Sequence, residues 1–113
     1  MEFGLIKHVE SIYAGADFPV ILCDSDLKIV WFNGAVKKCK EGSSLESLLP
    51  DINIDALRTD LDKNGRASRM SGFQRDIPVT ADFTAICEPN CKDKGDGYIL
   101  ISLKVSPFFY IML

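Results

Sequence analysis

What this sequence has little of narrows its chemistry first. It holds one histidine, His8, near the N-terminus, where it reads as a surface residue, so no histidine-centred catalytic constellation can be assembled. It has no Gly-x-Ser-x-Gly, no P-loop and no glycine-rich dinucleotide motif, which removes the common nucleophile and phosphate-binding signatures. It has no excess of positive charge: 16 acidic residues face 13 basic ones, for a net charge of -3. Nucleic-acid binders show a basic face or stripe, and the densest basic cluster here, Lys37, Lys38 and Lys40, reads as a solvated helix face. No apolar run approaches the ~20 residues that span a bilayer. Residues 1–8 show no secretory apolar segment, and a cytoplasmic location is expected. The four cysteines, Cys23, Cys39, Cys87 and Cys91, are dispersed as in a reduced compartment rather than a disulfide framework.

What is present suits one small folded domain. A chain of 113 residues hides roughly two thirds of the surface its unfolded form exposes, enough for one core. Residues 3–16 place Leu5, Ile6, Val9, Ile12, Tyr13 and Ala16 at helical spacing. Gly15 and Pro19 fall where that helix should stop. The period then changes. Two short runs rich in strand formers, residues 19–23 and 28–32, flank Asp24-Ser25-Asp26, whose short polar side chains favour a turn, and a hairpin is predicted. The paired carboxylates Asp24 and Asp26 are therefore read as turn residues, not as an acid–base pair. Asn33 suits a helix N-cap, and a short helix is predicted over 34–40. A capped turn at 44–47 and a helix over 52–61 follow, with Ile54, Leu57 and Leu61 on one side. Asp62-Lys63-Asn64-Gly65 is a turn signal. The remainder reads as strands: 66–73, weakly patterned; then from Val79 a clean alternation through Ala81, Phe83, Ala85 and Cys87; then 98–105, with Ile99, Ile101, Leu103 and Val105 on one face. Helix, two strands, short helices and three strands make an α+β fold with one antiparallel sheet.

Several stretches resemble PAS domains. Phe18-Pro-Val-Ile-Leu-Cys-Asp24 is similar to the family's first strand, and Asp24-Ser-Asp-Leu-Lys-Ile-Val-Trp-Phe-Asn33 to its hairpin and following asparagine. Gly34-Ala35 matches the small residues that often come next. Gly42-Ser-Ser-Leu-Glu-Ser-Leu-Leu-Pro50 resembles the glycine, short helix and closing Leu-Leu-Pro. Gly95-Asp-Gly-Tyr-Ile-Leu-Ile-Ser102 resembles the loop into the last strand. The resemblance covers about residues 3–105. It implies a five-stranded antiparallel sheet with short helices on one face, a cavity between them, and an N-terminal helix. It divides the chain into that helix (1–17), a sensory domain (18–105) and an apolar tail (106–113). It implies a sensory and dimerisation domain of a signal-transduction protein of the histidine-kinase, two-component type. Such a domain is not itself an enzyme, and the output would lie in another segment. Pro107 interrupts any continuous helix from the last strand, a departure from the family that puts that coupling in question.

The resemblance also sets cofactor expectations. Haem-binding relatives need a cavity-facing histidine, which His8 is not. Flavin photosensors need a cysteine in an Asn-Cys-Arg type motif, whereas Cys39 sits between Lys38 and Lys40. Both cofactors are therefore expected to be absent, and a small organic ligand is the remaining class. Candidate cavity walls are Leu57, Met70, Phe73, Phe83, Ala85, Ile99 and Ile101. The same residues would equally fill an ordinary dense core. Asp24 and Asn33 are the structural motif residues. Val9, Ile12 and Tyr13, with Tyr98 and Leu100, are candidate homodimer contacts. Two other readings stay open. One is a ligand-free protein-interaction module. The other is a thiol or metal sensor using Cys39, whose thiol pKa the neighbouring lysines would lower, or the Cys87/Cys91 pair.

Overall fold

A computed structural model describes residues 2–36, 39–73, 77–86 and 97–105. Helix α1 spans Glu2–Tyr13, strand β1 Val20–Asp24 and β2 Ile29–Phe32. A 3-10 turn at Leu45–Ser47 precedes helix α2, Ile54–Asn64. Strands β3 (Arg66–Phe73), β4 (Ile77–Ile86) and β5 (Tyr98–Val105) complete the chain. The five strands form one sheet in the order β2-β1-β5-β4-β3, and every neighbouring pair is antiparallel. The expected α+β architecture is thus present.

Local chemistry explains where the elements stop. The β1–β2 turn is held by Asp24, whose Oδ1 accepts from the N–H groups of Asp26 and Lys28 at 2.9 and 3.0 Å. That turn forces Leu27 to φ 61°, a left-handed conformation costly for a leucine, while its side chain stays buried in the core. Asn53 caps α2 by accepting from the Ala56 N–H. Gly65 ends the helix at φ 74°, its N–H donating to the Leu61 carbonyl, the conformation for which glycine has no Cβ penalty.

The predicted helix over 34–40 is not formed in its described part. Residues 34–36 make a turn instead. The Asn33 side chain does accept from the Ala35 N–H, at 3.3 Å, as a cap would. It is also committed to three groups outside that segment, which fixes it in the sheet rather than at a helix start.

One face of the sheet carries the main core. Ile21, Cys23, Ile29, Phe73, Val79, Ala81, Phe83, Ile99, Ile101 and Leu103 meet Leu45, Leu49, Leu57 and Leu61 from the intervening segment. α2 lies against β3 and β4. Val9, Val20 and Leu22 are also buried but stand outside that cluster. Val20 and Leu22 alternate with Ile21 and Cys23, so they point to the opposite face. α1 carries the buried Val9 and is joined to the sheet at its end, where the Tyr13 carbonyl accepts from Asn33 Nδ2.

Candidate functional site

The candidate wall residues are expected on the core side of the sheet, which α2 faces across β3 and β4. This side is built by alternation. Phe83 pairs with Ile101 and with Ala67, and Ala81 pairs with Leu103 and with Arg69, so each cross-strand row places same-face side chains in contact range. Leu57 reaches this layer from α2, because Leu57 and Leu61 are one turn apart and both are buried.

Five of the seven candidate wall residues meet here: Leu57, Phe73, Phe83, Ile99 and Ile101 are all buried in the one core cluster. Two do not. Met70 is 68% exposed, because β3 is in the opposite frame: Ser71 and Phe73 are buried while Ser68 and Met70 face out. Ala85 keeps the parity of Phe83 but is exposed. Its N–H donates to the carbonyl of Gly65, so it lies where α2 has ended and no longer covers the sheet.

Polar chemistry inside is sparse. Among the described residues, the buried polar side chains are those of Asn33 and Ser71. Ser71 Oγ donates to the Gly72 carbonyl at 2.9 Å. Asn33, 3% exposed, uses its whole amide: Oδ1 accepts from the Val20 and Ala35 N–H groups, and Nδ2 donates to the Tyr13 and Phe18 carbonyls, each at 3.0 Å. Sequence reasoning marked Asn33 as a cap. It is instead a staple joining the end of α1, the start of β1 and the end of β2. Arg69 also lies in the inward frame of β3, with its guanidinium paired to Asp60 of α2, a pairing no periodicity announced.

Burial disfavours ionisation of both described thiols, Cys23 and Cys39. Burial pushes the Cys23 thiol up to about 12, with the charges of Asp24 and Cys39 adding to the rise. Burial also raises the Cys39 thiol, opposite to the lowering expected from its lysine neighbours. The charged form loses more by leaving water than the Lys40 backbone returns. Cys87 and Cys91 lie outside the described residues, as does the 106–113 tail. Among the described residues, no three His, Cys, Asp or Glu side chains gather closely enough to hold one metal ion, and no helix is long and apolar enough to cross a membrane.

The candidate association residues are spread over two surfaces. Ile12 is 55% exposed and Tyr13 half-buried, with the Tyr13 ring edge-on to Phe18 at 6.5 Å. Val9 is buried within the chain itself, so it is not available to a second copy. Tyr98 and Leu100 are half-buried on the outer face of the sheet. Cross-strand pairing sets Leu100 against Leu22 and Leu22 against Trp31, with Tyr98 against Ile86 in the next row. Trp31 and Ile86 therefore extend that apolar surface. Only the hairpin register reveals this, since Trp31 sits across a bulge that breaks simple alternation.

No protein-family profile matches the chain, and no curated protein matches it. Solved structures do. It is similar to a PAS domain from a two-component sensor histidine kinase, with a TM-score of 0.63 and 9% identity over 94% of this chain and 100% of that one. It is similar to the PAS domain of nitrogen regulation protein NR(II) from Vibrio parahaemolyticus, with a TM-score of 0.64 and 14% identity over 86% and 96% of the two chains. A LOV protein from Rhodobacter sphaeroides matches with a TM-score of 0.65 and 11% identity, over 95% of this chain and 69% of that one. Sheet order, the helices on its core side and these likenesses agree: the chain has the fold of a PAS domain.

Proposed function

We propose that this chain is a sensory module of a signal-transduction protein, of the kind the similar sensor-kinase domains represent. It performs no chemistry, and its output is a change in how two copies associate. The supporting observation is the outer face of the sheet. Leu100, Tyr98 and Ile86 form a half-exposed apolar surface there, with half-exposed Trp31 beyond the fully buried Leu22, while the inner face is spent on the core. An antiparallel sheet usually presents polar residues on its solvent side, and a contiguous apolar patch marks an interface.

A second observation supports a ligand on the core side. Ala67, Ser71 and Ala81 are small residues on the inner surface of β3–β4, among Arg69, Phe73 and Phe83, and the Ser71 hydroxyl is the one fully buried side-chain polar group described there. The ligand class is a small, mostly apolar organic molecule with at most one hydrogen-bonding group. Of the described thiols, burial disfavours the ionised form of Cys23 and of Cys39.

Native mass spectrometry beside sedimentation velocity tests both parts. Wild type is expected to be a dimer, and Leu100→Asp a folded monomer. A folded Leu100→Asp dimer would overturn the sheet-face assignment. Extra mass released on denaturation would identify the ligand, and bare chains from freshly purified protein would leave the interaction module alone.

A further inference from the structure

The two edges of the sheet are closed by different means. At β2, the chain itself returns: Ile29 N–H donates to the Ser43 carbonyl, Gly42 N–H to the Ile29 carbonyl, and Leu45 N–H to the Leu27 carbonyl. At β3 no such segment appears among the described residues. Gly65, just before β3, takes the Ala85 N–H through its carbonyl. Strand alternation then turns odd-numbered β3 peptide groups toward β4 and even-numbered ones, at Ser68, Met70 and Gly72, toward the open edge. Two of those groups are taken by side chains. The Gly72 N–H donates to Asp51 Oδ2 at 2.9 Å. The Ser68 carbonyl accepts from Arg69 Nη1 at 2.8 Å, while Arg69 Nη2 is held by Asp60.

The edge sequence is self-complementary. With Met70 set opposite Met70 of a second copy in antiparallel register, Ser68 falls opposite Gly72 and Ala67 opposite Phe73. Arg69 falls opposite Ser71, so the two copies bring no like charges face to face. Met70 then exchanges both of its backbone bonds with its counterpart, and its exposed side chain gains an apolar neighbour. In that register the Gly72 N–H and the Ser68 carbonyl are each other's partners across the interface. These are the two groups that Asp51 and Arg69 occupy.

We propose that Asp51 and Arg69 are guards that hold shut a strand-addition edge, and that the strand this edge accepts is β3 of a second copy of this chain. Removing the guards frees a matched donor and acceptor on each copy. Unprotected edges of this sort are what folded proteins block to prevent association.

The test uses Met70→Cys as a reporter. Residues facing each other in a hydrogen-bonded antiparallel pair lie at ~5.5 Å between Cα atoms, within the range of about 4.4–6.8 Å that a disulfide spans. Met70→Cys is compared with Met70→Cys/Asp51→Ala/Arg69→Ala under mild oxidation on non-reducing gels, with circular dichroism to confirm folding. The unguarded protein is expected to cross-link copy to copy at least tenfold faster than the guarded one. Asp51→Asn, which keeps an acceptor for Gly72, is expected to behave as guarded. If the triple variant is misfolded, Met70→Cys/Arg69→Ala alone carries the comparison. Equal cross-linking rates with and without the guards would overturn the proposal, as would a folded unguarded protein that does not cross-link. Met70 also stands on the outer face of the sheet, so Leu100→Asp is added to both proteins to remove the outer-face dimer, and the comparison then reads the β3 edge alone.

Discussion

Replacing Asn33 by alanine tests whether one buried amide ties the N-terminal helix to the sheet. The side chain makes four hydrogen bonds to backbone groups of Tyr13, Phe18, Val20 and Ala35. The Val20 N–H loses most, since Val20 is completely buried and water cannot replace the lost acceptor. An unsatisfied buried amide costs roughly 1–3 kcal/mol. The other three groups lie nearer the surface, and each loses on the order of 0.5 kcal/mol once water takes over. The total is about 3 kcal/mol, a large share of the ~5–15 kcal/mol that stabilises a domain. At ~4 °C or more per kcal/mol for a chain of this size, the melting temperature should fall by about 12 °C. Calorimetry reads that shift, and hydrogen exchange should show residues 4–13 losing protection before the strands do. A fall below about 4 °C, with α1 still protected as in wild type, would refute the staple. Asn33→Asp sharpens the test. It keeps the acceptor but sets a carboxylate against the Tyr13 and Phe18 carbonyls, which disfavours the ionised form and raises its folded pKa. Its stability should then be greater at low pH and fall as pH rises through the carboxyl range.

Three further outcomes follow from the same geometry. At Leu27, glycine relieves the left-handed strain that alanine keeps, while both lose the core side chain. Leu27→Gly should thus be at least as stable as Leu27→Ala, against the usual order, as urea unfolding will show. Gly65→Ala puts a Cβ at φ 74° and should cost about 1 kcal/mol with no other change, read in the same assay. The Cys23 thiol, held near 12 in the fold against an ordinary 9.0, should resist alkylation at pH 8 until the protein unfolds. It contributes stability that is complete below pH 9 and lost as pH rises toward 12, measurable as a falling melting temperature in alkaline buffer.

The strands from Val79 onward were legible because their two faces meet different environments, so burial wrote a period of two into the residues. β3 was not. Its inward frame is Ala67, Arg69, Ser71 and Phe73, two of them polar, and its other large apolar residue, Met70, points outward. The polar inward residues are tolerated because Arg69 has Asp60 and Ser71 has the Gly72 carbonyl. The Arg69 partner, Asp60 on α2, leaves no trace in the strand's own pattern, and placing Met70 in the cavity wall followed from hydrophobicity alone. Ala85 failed for a different reason: its alternation was right, but cover depends on where α2 stops. The helix after Asn33 was expected from a side chain whose first bond is cap-like. Its other bonds reach residues 13 to 20 positions away, beyond any local rule. The homodimer face was read from Tyr98 and Leu100 without Trp31, because the hairpin bulge hides that Trp31 shares their side.

The unequal closure of the two sheet edges bears on how such a chain can diverge. Peptide groups are common to all residues, so the β2 margin, zipped by residues 42–45, survives most point changes and yields mainly to an inserted or deleted residue. The β3 margin depends on side chains, and a single codon can unlock it. Sequence drift therefore tries out new neighbours along β3 far more often than along β2, although both flank one continuous sheet.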